Sequence, residues 1–68
     1  MTILDLISSV EIPEKITVVS WASNETLIDG KYANDLEDSR RFHEYFANKK
    51  IRSIEVGELC DIVIAIED

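Results

Sequence analysis

The chain has 68 residues, 46% of them apolar, with fourteen acids against seven bases and a formal net charge of −7. That charge disfavours direct nucleic-acid binding, which rests on neutralising phosphates, and equally disfavours an anionic membrane surface. The length allows one domain, residues 1–68, with an economical core, because so short a chain buries only about 60% of the surface it exposes when unfolded.

The opening "MTILDLISSVEIPEK" has no positive n-region, and Asp5 breaks its apolar stretch, so neither a signal peptide nor a membrane span is expected. Instead Ile3, Leu6, Ile7 and Val10 fall at helical spacing, with Thr2 as N-cap and Asp5 as its capping-box partner. Pro13 stops that helix and pushes Ile12 toward extended geometry. "KITVVSW" then reads as a strand, with Ile16, Val18 and Ser20 on one face and Thr17, Val19 and Trp21 on the other. Neither face is purely polar, which suits an inner strand. Core packing under a helix is the expected role of Trp21, because burying aromatics is the default. Facing outward with Thr17 and Val19 would instead mark a contact site.

"ASNE" turns the chain into a short return strand, "TLID", with Gly30 at its end or in a bulge. "YANDLED" reads as a turn or a separate single turn of helix. The main helix starts near Asp38 or Ser39, carries Phe42, Tyr45 and Phe46 on one face, and ends at Lys49 and Lys50 with Asn48 as C-cap. A final hairpin follows, "IRSIEV" out and "IVIAIE" back around "GELCD". The returning strand is apolar on both faces and belongs inside a sheet, or at an edge that invites another chain. The order is α-β-β-α-β-β. The expected fold is α+β, a four-stranded antiparallel sheet with two helices on one face and the other face bare.

Chemistry is sparse. Cys60 is the one cysteine and His43 the one histidine. A lone thiol points to a reducing, cytoplasmic compartment rather than a disulfide scaffold. His43 reads as a wet-face or half-packed helix residue, and Cys60 as a small buried hydrophobe. No paired histidines, CxxC, calcium loop or glycine-rich phosphate cradle is present, so the reading is not an enzyme, with no metal and no cofactor.

Charge is the remaining signal. Residues 1–39 carry −6, residues 40–53 carry +4 and residues 54–68 carry −5. The basic island could hold a nucleic acid with Tyr45 stacked on a base, but acidic blocks on both sides oppose that within a Debye length of about 8–10 Å. Internal balance is the preferred reading, with Arg40 and Glu44 paired at helical spacing. Acidity by itself is also what keeps a small protein soluble.

The short "TILDLI" helix, the "LIDGKYANDL" return and the "IRSIEVGELCDIVIAI" hairpin resemble the very small acidic proteins of phages and mobile elements of Gram-positive bacteria. Some of these are anti-CRISPR or other anti-defence inhibitors, and several are DNA mimics. The likeness spans nearly the whole chain in size, acidity and element order, without a motif. It implies an inhibitor that presents carboxylates to a basic protein surface, such as a nuclease or other nucleic-acid-binding protein. Charge placement nominates Glu25 and Asp29 on the first hairpin, Asp35, Glu37 and Asp38 before the main helix, and Glu55, Glu58 and Asp61 around the final turn, with Trp21 as an apolar contact. The alternative is a self-associating structural or regulatory domain, a homodimer through an edge strand or the bare sheet face.

Overall fold

The computed structural model describes residues 1–9, 14–57 and 61–67. Its elements run α1 (Ile3–Ser9), β1 (Ile16–Ser20), β2 (Thr26–Lys31), α2 (Ala33–Glu37), α3 (Arg40–Tyr45), β3 (Ile51–Val56) and β4 (Ile62–Ile66). The four strands form one sheet in the order β2-β1-β4-β3. The fold is therefore α+β, with two corrections to the expected arrangement. The sheet is mixed rather than antiparallel, because β1 and β4 run parallel at its centre, Ile16 beside Ile62 through Ser20 beside Ile66. There are three helices among the described residues rather than two, since "YANDLED" and "SRRFHEY" form separate helices.

Both corrections concern how the two hairpins are joined. β4 is apolar on both faces, neither face of β1 is purely polar, and both strands take inner positions with a neighbour on each side. Two hairpins placed side by side satisfy this when their outer strands, β2 and β3, take the edges. The chain must then cross one face from the end of β2 to the start of β3, and α2 with α3 makes that crossing. The core lies beneath it. Ile3 and Ile7 of α1, Ala33 and Leu36 of α2, and Phe42 of α3 pack with Ile16, Val18, Ile64 and Ile66 in one cluster. Each large side chain buried there contributes about 1.5–3 kcal/mol before chain entropy is set against it. Thr17, Val19, Val63 and Ala65 point to the opposite face, which carries no helix among the described residues.

Local chemistry sets the element ends. The Thr2 N–H donates to the Asp5 carboxylate at 3.1 Å, and the Asp5 N–H donates to the Thr2 hydroxyl at 3.2 Å, a complete capping box. The Thr2 backbone N–H first, and its hydroxyl second, hold the Asp5 carboxyl below its ordinary pKa. Gly30 has φ +55°, in the bulge where β2 spans Ile28 to Lys31 while β1 advances only from Val18 to Ile16. Asn24, at φ 59°, supplies the left-handed residue of the β1–β2 turn.

The α2–α3 corner is built by Ser39. Its extended backbone breaks the helix, and its hydroxyl accepts the Phe42 N–H at 3.2 Å to start α3. His43, exposed on α3, donates Nε2–H to the Glu37 carbonyl at 2.6 Å and so occupies an orphan acceptor at the end of α2. α3 is shorter than its sequence suggests, with Phe46 and not Asn48 at the C-cap. Phe42 is consequently the ring it fully buries, Phe46 is half-buried, and Tyr45 at the last helical position is exposed. Val10, Ile12, Pro13, Glu58 and Cys60 lie outside the described residues, and with them the expected stop of α1 and the turn of the last hairpin.

Candidate partner-binding surface

Two surfaces gather the nominated residues. The first is a groove of about 630 Å³ between the β2 edge and the two helices that cross the sheet. Its floor is apolar, formed by Leu27, Ile28, Leu36, Phe42 and Phe46. Asp29 comes to it from β2 and Asp35 from α2, joined by Lys31 and Arg41. Glu37 and Asp38 follow in chain on the exposed end of α2. The bulge at Gly30 and the cap at Ser39 therefore set where these carboxylates stand. Lys31 and Arg41 are the residues that sequence reading missed here. Along the chain Arg41 sits among its basic neighbours, and only the helix crossing brings it beside β2.

The second surface is the bare sheet face. Trp21 is 51% exposed, which overturns the expectation that it packs under a helix. Its phase explains the outcome: the helices take the Ile16 and Val18 face, and Trp21 belongs to the other. The ring is held rather than loose. Its backbone N–H donates to the Ile66 carbonyl at 3.0 Å. The Arg52 guanidinium sits 5.1 Å from the ring centroid, and Arg52 Nη1 donates to Glu67 Oε1 at 3.0 Å. Tryptophan and arginine are each enriched at interface hot spots, and a cation over an exposed indole contributes about 0.5–1 kcal/mol. Neither Arg52 nor Glu67 was nominated, because nothing local in the sequence links them to Trp21.

The other nominated acids do not join the groove. Glu25 lies in the β1–β2 turn, where its carbonyl accepts the Ser20 N–H at 2.9 Å and its side chain is exposed. Glu55 lies on β3 at the far edge of the sheet, and Asp61, half-buried, just precedes β4. Glu58 lies outside the described residues. The acids thus flank the sheet on both edges and do not form one face.

Few of the charges among the described residues are paired. Among the described residues the ion pairs are Arg40–Glu44 at 3.1 Å, as the helical spacing predicts, and Arg52–Glu67 at 3.0 Å. Among the described residues no group of three His, Cys, Asp or Glu side chains stands ready for a metal ion, and no helix is long and apolar enough to cross a membrane. No protein-family model, curated protein or solved structure matches the chain.

Proposed function

We propose that the chain is a small acidic protein-binding module that docks on a basic surface of a nucleic-acid-handling protein and inhibits it. One observation carries this reading. Glu14, Glu25, Asp29, Asp35, Glu37, Asp38 and Glu55 are exposed and engage in none of the ion pairs among the described residues. A carboxylate left in water adds little to the fold and keeps its full charge for an encounter. Such charges steer association with a basic partner and then stand in for phosphates in its channel. The resemblance to small acidic phage and mobile-element inhibitors supports the same reading.

The test uses the immobilised chain and a lysate of its native host. A retained protein is identified, and its nucleic-acid binding is measured with and without the purified chain. Inhibition that weakens steeply with salt, and that is lost when Asp35, Glu37 and Asp38 are changed together to lysine, supports the proposal. Retention indifferent to both salt and those substitutions refutes it.

A second reading, self-association without inhibition, is supported by the exposed Trp21 on the bare face. Sedimentation equilibrium separates the two: a dimer abolished by Trp21→Ser favours the second.

A further inference from the structure

Resting on that reading, we infer that the partner is held partly by strand addition: the outer edge of β3, Ser53–Val56, takes an extended basic segment with apolar residues at alternate positions. β3 is an edge strand, and the chain already uses the start of that edge in this way. The Ile51 N–H donates to the Met1 carbonyl at 3.1 Å, the Ile3 N–H donates to the Lys49 carbonyl at 3.0 Å, and Thr2 forms an antiparallel bridge with Lys50. The added N-terminal residues end there. Beyond Arg52 the register is regular, Ser53 to Val56 opposite Ala65 to Ile62, so the backbone groups of this stretch are spaced for another strand.

The contrast with the other edge is informative. β2 is broken by two register shifts and the positive-φ Gly30, and it carries Asp29 and Lys31, all devices that deter strand pairing. The stretch from Ser53 to Val56 has neither proline nor lysine, and no register shift falls within it. It exposes Ile54 at 51% and Val56 at 76%. Both point to the helix-side face, as their partners Ile64 and Ile62 require, while Glu55 points to the other.

Charge selects the occupant. Residues 54–68 contain five acids and no base. On this edge Glu55 is the acid the described residues place, and a second copy paired antiparallel across it would bring two Glu55 carboxylates together. A segment with lysine or arginine opposite Glu55 and valine or isoleucine beside Ile54 and Val56 meets both faces, and its backbone supplies the hydrogen bonds.

The test titrates the full-length, isotope-labelled chain with a synthetic peptide alternating lysine and valine. Amide shifts centred on Ser53–Val56, with slowed amide exchange there, are expected. A glutamate–valine peptide, and a lysine–valine peptide N-methylated along one edge, should bind at least about tenfold more weakly. Glu55→Lys should cost the basic peptide a similar factor while leaving the spectrum folded, with Glu55→Gln as the milder companion. Equal binding of the N-methylated peptide, or shifts confined to Asp35–Asp38, overturns the strand addition and leaves the wider acidic-surface reading standing. Loss of the wider reading would appear separately, as no salt-sensitive partner from the host. A dimer whose interface is Ser53–Val56, or no binding of the basic peptide at low salt, also overturns the inference.

Discussion

Replacing Ser39 with alanine tests whether the α2–α3 corner is what holds the groove. Ser39 ends α2 by its extended backbone and starts α3 by accepting the Phe42 N–H at 3.2 Å. Loss of such a cap costs about 1 kcal/mol within a range of roughly 0.5–2. An unfolding entropy of about 2.1 cal/mol/K per residue gives roughly 140 cal/mol/K for this length, so 1 kcal/mol lowers Tm by about 7 °C. The effect is also local, because Ser39 lines the groove that Asp29 and Asp35 share. Amide exchange should therefore rise first in α3, where the first-turn N–H groups lose their acceptor. Ser39→Asp should keep the cap and most of the stability. Thermal unfolding of the two variants beside the parent is the assay. A Ser39→Ala shift below about 2 °C, or equal losses for alanine and aspartate, refutes the assignment of the cap.

Other outcomes follow from the same geometry. Gly30→Ala should destabilise by about 1–2 kcal/mol through backbone strain alone, since φ is +55° and a Cβ would meet nothing closer than Lys15 Cδ at 3.8 Å; urea unfolding measures it. Asp5 has its pKa lowered in the fold, so the stabilisation it gives is present above its unfolded pKa and is lost as pH falls through the folded value. Acid titration followed by amide exchange should accordingly show α1 fraying as pH drops below about 4, and Asp5→Asn should flatten that dependence. Trp21→Ala and Arg52→Ala, combined in a double-mutant cycle, should return a coupling of about 0.5–1 kcal/mol, as expected of an exposed cation–π contact, with folding preserved in each variant.

Much of the fold was legible because local rules and the final structure agree. Thr2 and Asp5 form the capping box, Ser39 starts α3, Gly30 lies in a bulge, and Ile16, Val18 and Ser20 share one face. These are matters of spacing, capping chemistry and strand phase, all written within a few residues. The parallel pairing of β1 with β4 was not legible. It depends on which way the chain crosses between two hairpins, and no short stretch encodes that choice. Tyr45 was placed on the packed face by its spacing from Phe42, but α3 ends at Tyr45 and the ring is left in water. Trp21 follows its strand phase, which here outweighs the general preference for burying aromatics.

What the structure adds is the placement of the nominated residues. Asp29 and Asp35 were nominated separately and meet at one groove, while Glu25, Glu55 and Asp61 stay apart. Long-range partners such as Arg41 in the groove and Arg52 on Trp21 come from the crossing and the sheet order, so charge counting along the chain could not find them.

Stability alone gives little reason for the charge to be arranged as it is. Exposed ion pairs contribute only about 0–1 kcal/mol, so closing more of them would gain the fold little. A surplus of one sign, by contrast, costs stability through self-repulsion across the whole surface. Lys31 and Arg41 share a groove with Asp29 and Asp35, yet among the described residues the ion pairs are only Arg40–Glu44 and Arg52–Glu67. The core is complete without any of these groups, since Ile3, Phe42, Ile16, Ile64 and Ile66 are each almost fully buried. Under the proposed function, the acids are set instead by what approaches the surface from outside. On that view the two edges of the sheet have different duties: β2, bulged and charged, presents carboxylates, and β3, in regular register from Ser53 to Val56, presents backbone.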